Sequence, residues 1–140
     1  MENNAVISIK TYQETDGEKD AIELETPGKY ALRGGKYYIV YDESPMTGFT
    51  DTTTTIKVAP GNVTVTRKGR HNMRMEYVQG ERRLCMYPTP YGDIAVAVQT
   101  EAVDFCLDAA GGDLKVDYIL DQDNVNFLKN SLRVRIRRDA

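Results

Sequence analysis

The sequence has little of the chemistry on which metal, redox and catalytic sites depend. It contains one histidine and two cysteines, and Cys85 and Cys106 show neither CxxC spacing nor a partner histidine. No calcium-loop pattern is present, so neither a metal site nor a cofactor is predicted. His71, the single histidine, falls in a turn without a third group to orient it. We therefore predict no catalytic residue and do not expect an enzyme.

Long hydrophobic runs are also missing. Nothing approaches the roughly 18 consecutive apolar residues of a membrane-spanning helix, so no membrane partner is predicted. The first four residues, MENN, lack the basic and apolar regions of a signal peptide. A cytoplasmic location is expected from this, and with it free cysteine thiols. A hydrophobic content of 41% and a net charge of −3 are ordinary for a soluble globular domain.

What the sequence does contain is an alternation of apolar and polar residues with a period of two. This period is typical of β-strands that bury one face. The apolar positions include Ile7, Ile22, Ile56, Val65, Met75, Leu84, Met86, Val96, Val103, Val116 and Val134. Short turns containing Gly, Asn or Asp separate the segments, as in hairpins, and no sustained helical period is seen.

This pattern predicts an all-β fold: a single antiparallel up-and-down β-barrel of about 8–10 strands. Residues 1–140 are expected to form one domain, because no linker or break in composition divides them. A barrel is favoured over a sandwich because closing a hairpin meander removes its exposed edges. Pro27-Gly28 interrupts a long strand and predicts a bulge or kink at a barrel corner.

Four segments together resemble a known family. They are GKYYIVYDE (residues 35–43), GFTDTTTTIK (48–57), VTVTRKG (63–69) and YPTPYG (87–92). Their order and spacing resemble the YwiB-like family of uncharacterised bacterial proteins, over roughly residues 5–137. The resemblance implies a small calycin-type, lipocalin-like β-barrel without an established activity or known catalytic residues.

The barrel interior is the first candidate site. The period of two places a set of side chains on the inward-facing side of their strands, where they are expected to line a ligand site. They are Thr52, Thr54, Met73, Met75, Tyr77, Met86 and Tyr118. Methionine adapts to irregular shapes, and threonines can supply the partners that buried tyrosine hydroxyls need. A small amphipathic ligand is therefore one interpretation. The alternative is a core filled by side chains, because about eight strands enclose little more space than those occupy.

The segment YPTPYG is the second candidate. It brings no nucleophile, base or run of glycines, so it is not predicted to be a catalytic loop. Pro88 and Pro90 are expected to stop the regular ladder and to make a rigid connection at one end of the barrel. Tyr87 and Tyr91 are expected to cap that end, and to form part of the rim if a ligand binds.

One tyrosine-rich strand has a composition typical of a subunit interface. Tyr37, Tyr38 and Tyr41, with the apolar residues between them, leave both faces of this strand apolar or aromatic. Such a strand is covered on both sides. Because tyrosine is enriched at interfaces, a homodimer using this strand is one interpretation. Cover by another segment of the same chain is the other.

Arginines are concentrated in two places, which raises the alternative function of a protein- or RNA-interaction module. The residues concerned are Arg67, Arg74 and Arg83 in the middle of the chain, and Arg133, Arg135 and Arg137 near its end. If the first and last strands pair, the second group lies beside Ser8 and Lys10. Cross-strand ion pairs on a solvated surface are the competing interpretation. Aromatic residues interleave poorly with these arginines, which weakens the case for a nucleic-acid partner.

Overall fold

The structure is a computed structural model that describes residues 3–15, 17–43, 51–70, 72–89, 92–122 and 126–138. Its regular elements are ten β-strands. They are β1 (Ala5–Thr15), β2 (Glu18–Arg33), β3 (Lys36–Asp42), β4 (Thr52–Ala59), β5 (Asn62–Gly69), β6 (Met73–Val78), β7 (Arg82–Thr89), β8 (Gly92–Asp108), β9 (Gly111–Gln122) and β10 (Asn126–Arg138). Within these residues there is no helix with the length and apolarity needed to cross a bilayer.

The strands form one antiparallel sheet in the order β6-β5-β4-β3-β2-β1-β10-β9-β8-β7. Strands that follow one another in the chain are therefore neighbours in the sheet, except β6 and β7, and the first strand pairs with the last. In that ladder Lys10 pairs with Arg133 and Ser8 with Arg135. The predicted all-β, up-and-down barrel is confirmed, as is the pairing of its terminal strands.

A seam between β6 and β7 leaves the barrel nearly closed rather than completely closed. In the part of the chain that the structure describes, no backbone ladder joins these two strands. Side chains bridge the seam instead. The Cys85 thiol donates to the Arg74 carbonyl across 3.2 Å, and Arg83 lies 3.6 Å from Glu76 in an ion pair. Closure thus depends on these contacts and on the apolar interior behind them.

The predicted corner at Pro27-Gly28 is the place where β2 changes its partner. Gly28 pairs with β1, and residues 29–33 pair with β3. A Cβ on Gly28 would run into the Ile7 side chain and lie 2.6 Å from the Val40 carbonyl oxygen. Only glycine lets three strands approach this closely. The β1–β2 register is continuous here, so the corner is not a bulge; a register shift occurs in β8 instead, near Thr100.

Aromatic rings fill one end of the barrel, which we call the closed end. Tyr30 and Tyr37 stack with their ring centroids 6.1 Å apart, and Phe105 meets Tyr37 edge-on at the same separation of 6.1 Å. The Tyr30 hydroxyl donates to the Asp108 carbonyl (2.7 Å) and the Tyr37 hydroxyl to the Leu107 carbonyl (2.8 Å). These bonds satisfy the hydroxyl groups of both rings, so neither hydroxyl requires a hydrogen bond to water.

The strand that carries Tyr37, Tyr38 and Tyr41 resolves into two faces. Ile39 and Tyr41 are buried inside the barrel, and Tyr37 packs against the same core. Tyr38 and Val40 point the other way and are half-buried. The aromatic plug within the chain thus explains the apolar character of the inner face. A homodimer through the outer face stays a prediction.

The predicted phase of β7 is wrong. Leu84 is 80% exposed and Met86 56% exposed, whereas Cys85 is buried. All four residues from 84 to 87 are apolar or aromatic, so period two cannot choose between the faces. The hairpin register decides it, because Cys85 pairs with Val96, which is buried. Met86 therefore lies outside the barrel and is removed from the predicted ligand site.

The expectation that two prolines stop the ladder is also wrong at the first of them. Pro88 pairs with Asp93, and the ladder continues to Thr89 and Gly92. Because β7 lies at the seam and has a ladder on one side only, it tolerates a residue without a backbone donor. Pro90 and Tyr91 lie outside the described residues, as does His71.

Candidate functional site

A cavity of about 250 Å3 enters the barrel from the end opposite the aromatic plug, which we call the open end. Its apolar wall consists of Ile9, Ile22, Leu24, Ile56, Val65, Met73, Met75, Leu120 and Leu132. Its polar groups come from Thr11, Gln13, Asp20, Tyr41, Glu43, Arg67, Tyr77, Tyr87, Tyr118 and Asn130. A filled core therefore describes the closed end of the interior, and a cavity describes the open end.

The structure brings together most of the side chains that the sequence assigned to a ligand site. Met73, Met75, Tyr77 and Tyr118 all line the cavity, and all four are buried. The two threonines of the prediction are buried in the same interior. They are Thr52 and Thr54, which do not line the cavity directly. Tyr87, predicted as a rim residue, lines it as well.

The entrance lies beside the first half of β2. In the described part of the chain, residues of β2 before position 29 pair with β1 alone, so this side of the barrel lacks a second neighbour. Ile22 is 50% exposed here although it has the interior phase, because it faces the cavity mouth. Asp20 and Leu24, which share its face, also line the cavity. An exposed apolar residue at an entrance gives the mouth an amphipathic character.

Two charged residues inside the barrel were not identified from the sequence. Arg67 Nε lies 3.5 Å from Glu43 Oε1, with the Glu43 side chain 2% exposed and that of Arg67 19% exposed. The Thr54 hydroxyl donates to the same Glu43 oxygen across 2.5 Å. Thr54 is the ladder partner of Tyr41 on one side and of Arg67 on the other. The β3–β4–β5 register therefore assembles this polar group.

The alternation does contain the information that places these two residues. Arg67 has the phase of Val63 and Val65, and Glu43 that of Ile39 and Tyr41. A charged side chain at an inward-facing position is rare unless it is paired. Opposite charges at inward-facing positions of two strands therefore predict a buried pair. The assignment of Arg67 to a basic surface stretch is corrected accordingly.

Three tyrosine hydroxyls stand near this pair. The rings of Tyr77 and Tyr118 are 4.6 Å apart and tilted. Burial raises the pKa of Tyr41, helped by the negative charge of Glu43. Burial likewise raises the pKa of Tyr77 well above its ordinary value, and it raises the pKa of Tyr118. These phenols are therefore protonated at neutral pH, and each has one O–H to donate. The Tyr77 hydroxyl donates to Met75 Sδ across 2.6 Å, and Tyr41 is hydrogen-bonded to Glu43 and Thr54.

The positive charge of Arg67 reaches each of these hydroxyls. In all three cases it opposes the rise in pKa that burial causes. It acts in the same direction on the Cys85 thiol, whose pKa burial raises. The positive charge of Arg67 thus acts on four titratable groups in the hollow half of the barrel.

The predicted basic surface consists largely of ion pairs. Arg74 lies 3.1 Å from Glu76, and Arg83 lies 2.9 Å from Glu81. Arg135 binds Asp113 at 2.9 Å. The Arg135 pair joins two strands, whereas the other two pairs join residues two positions apart in the chain. All three support the interpretation as a solvated surface, where each pair contributes little to stability.

The last strand adds a cation–π contact to these ion pairs. Arg133 lies over the ring of Tyr12 at 5.0 Å from its centroid, and Lys10 approaches the same ring to 4.9 Å. Lys10 also pairs with Glu23 at 2.7 Å. Arg137, the third residue of the row, is exposed beside Val6. The role of the row in binding a macromolecule stays a prediction.

Fold and site together define a class of protein: an antiparallel up-and-down barrel, plugged at one end and hollow at the other, with a buried ion pair in the hollow. The family described as a domain of unknown function (DUF1934) matches residues 7–134. The chain belongs to this family.

A relative and a solved structure place the chain more closely. The uncharacterized beta-barrel protein YwiB of Bacillus subtilis (strain 168) is 28% identical over 118 residues, which are 84% of this chain and 82% of that protein. The crystal structure of the ywiB protein from Bacillus subtilis matches with a TM-score of 0.86 at 22% identity, covering 99% of this chain and 93% of that one. The shared fold and the predicted relation to YwiB are confirmed.

Proposed function

We propose that the protein binds a small amphipathic molecule in the hollow end of its barrel, as a lipocalin-like binding protein of the cytoplasm. The observation that carries the proposal is the cavity of about 250 Å3, whose lining combines apolar side chains with several polar groups. Natural ligand sites combine these same two features, a mostly apolar lining and a few convergent polar groups.

Polar and apolar side chains line both sides of the cavity, and the ring order of the strands gives the pairs that face each other. In a ring of ten strands, β4 and β9 are five positions apart, as are β5 and β10. Arg67 on β5 therefore faces Leu132 on β10 across the cavity, and Leu120 on β9 faces the β4 side. A ligand whose polar head lies at Arg67 therefore meets the aliphatic side chain of Leu132 on the opposite wall.

The volume limits the size of the ligand. Sites for drug-sized molecules occupy about 300–1,000 Å3, and this cavity is slightly smaller than that range. It corresponds to the liquid volume of about eight water molecules. A short alkyl chain or a single aromatic ring with a polar head fits these dimensions.

The alternative function, a protein- or RNA-interaction module, has less support. Its arginines are engaged in ion pairs such as Arg135 with Asp113. Tyr37 and Tyr41 of the tyrosine-rich strand face the interior. Neither surface offers the aromatic stacking platforms that single-stranded nucleic acid binders use.

The absence of tryptophan from the sequence allows a direct test. Tyr87 lines the cavity, and its neighbour Met86 points outward on the same strand. Tyr87→Trp therefore places one fluorophore in the site, and Met86→Trp places the same fluorophore outside as a matched control.

Each variant is titrated with alkanoates, alkanols, alkylamides and phenyl-substituted acids of roughly six to ten carbon atoms, sizes chosen to fit the cavity. We expect saturable changes in tryptophan emission with Tyr87→Trp and none with Met86→Trp. A lack of response to every compound, or equal responses in the two variants, contradicts the proposal.

A further inference from the structure

Resting on the proposed function, we propose that the ligand is a small organic monocarboxylate whose charged group binds Arg67, with its apolar part against the opposite wall. The inference concerns the polar group formed by Glu43, Arg67 and Tyr41, which lines the cavity on the β3–β5 side. Three features of that group favour a carboxylate over a neutral or cationic head.

The first feature is the unequal exposure of the ion pair. The Glu43 carboxylate is almost completely covered, and it accepts a hydrogen bond from Thr54. Arg67 is the member that keeps accessible surface. A molecule that enters the cavity therefore meets mainly the positive partner of the pair.

The second feature is the geometry of that positive group. Its guanidinium carries five N–H donors in a planar fork, so it can serve more than one carboxylate. Glu43 approaches it at Nε from 3.5 Å, which is longer than the charge-assisted hydrogen bonds of about 2.7–2.9 Å. A second carboxylate at this guanidinium can form bonds in the shorter range.

The third feature is the set of phenols around Arg67. Tyr41, Tyr77 and Tyr118 all line the cavity, and burial keeps them protonated, as their raised pKa values indicate. A protonated phenol donates to an anion at no electrostatic cost. Because the Tyr77 hydroxyl donates to Met75 Sδ and Tyr41 is hydrogen-bonded to Glu43, Tyr118 is the phenol that we assign to the ligand carboxylate.

The charge balance limits the ligand to a single negative charge. Among the described residues that line the cavity, Arg67 alone is cationic, whereas Asp20 and Glu43 are acidic. A phosphate dianion would need positive groups in addition to Arg67, whose charge Glu43 already offsets. A monocarboxylate matches one guanidinium with hydrogen-bond donors around it.

Octanoate and octanamide test the inference, because they share a chain and differ in the charge of the head group. Isothermal titration calorimetry on the unmodified chain gives both affinities. We expect octanoate to bind about 10- to 100-fold more tightly, the range of a charge-assisted hydrogen bond.

Two variants separate a binding role of Arg67 from a structural one. Glu43→Gln keeps a partner for Thr54 and removes the negative charge beside Arg67, so octanoate should bind more tightly and octanamide should be unaffected. In the double variant Arg67→Gln/Glu43→Gln no buried charge is left unpaired, and the preference for octanoate should disappear while octanamide still binds. Arg135→Gln, on the exposed outer face, should change neither affinity.

The outcomes distinguish the inference from the function on which it rests. Equal binding of the two compounds to the unmodified chain, or weaker octanoate binding to Glu43→Gln, overturns the carboxylate inference and leaves an amphipathic ligand site in place. If neither compound binds while the Tyr87→Trp protein responds to alkanols, the carboxylate inference is again wrong. If Tyr87→Trp responds to none of the compounds, both proposals fail together.

Discussion

Glu43 and Arg67 form a buried ion pair, and removing Arg67 should destabilise the protein more than removing Glu43. In Arg67→Gln, the carboxylate of Glu43 is left in a covered position, where only 2% of its side chain is exposed, with Thr54 still donating to it. Removing one partner of a buried pair costs about 3–5 kcal/mol. Because Thr54 remains, we expect the lower end, about 3 kcal/mol.

Glu43→Gln should cost less. It leaves Arg67, which is 19% exposed and borders a cavity that opens to solvent, so water can replace part of the lost interaction. We expect about 1 kcal/mol, the lower limit for a buried polar group that loses a partner. The double variant leaves no charge uncompensated, and we expect about 1–2 kcal/mol, well below the sum of the two single changes.

Urea unfolding followed by circular dichroism measures these differences. For a chain of this length about 1 kcal/mol corresponds to roughly 4 °C in Tm, so Arg67→Gln should lower Tm by about 12 °C. A Glu43→Gln variant as unstable as Arg67→Gln would refute the unequal burial of the pair. A double variant equal to the sum of the singles, within about 0.5 kcal/mol, would refute the contact itself.

Three further predictions concern the rest of the barrel. Gly28→Ala should destabilise the protein by about 1–3 kcal/mol, because the added methyl group meets Ile7 and the Val40 carbonyl; an unchanged urea midpoint would argue against the close approach at this corner. Burial raises the pKa of Tyr30 to about 12, so the unfolded chain loses this phenolic proton first, and stability that is complete below about pH 10 should fall as the pH rises towards 12. Phenolate absorbance that rises fully near pH 10 in the folded protein would contradict this. Arg135→Ala should leave the urea midpoint unchanged, since both partners of its ion pair with Asp113 are exposed; a clear loss in urea unfolding would show that the surface pair is structural.

Much of the fold could be predicted from the sequence because one period dominates it. Alternation fixes which residues face inward along most strands, and short glycine turns fix the antiparallel meander. The same two rules predict the pairing of Arg133 with Lys10, which the β1–β10 ladder contains. Where both phases are apolar, as in β7, alternation alone fails, and the side that faces inward depends on the register with β8.

The site was less predictable, for two physical reasons. Period two identified Met73, Met75, Tyr77 and Tyr118 as interior residues, but whether space remains between them depends on how far β2 separates from β3 along the barrel. The ion pair was missed for a different reason. Arg67 lies in a stretch rich in arginine, and its inward phase becomes informative only together with the matching phase of Glu43 on another strand.

The central claim is that small amphipathic molecules enter the hollow end of the barrel, and methionine methyl NMR tests it most directly. Met73 and Met75 line the cavity, whereas Met86 is exposed on the outer face and serves as an internal control. With ε-13C-labelled methionine, octanoate or octanamide should shift the methyl signals of Met73 and Met75 and leave that of Met86 in place. Unchanged Met73 and Met75 signals with both compounds, or a Met86 shift of the same size, would contradict the account.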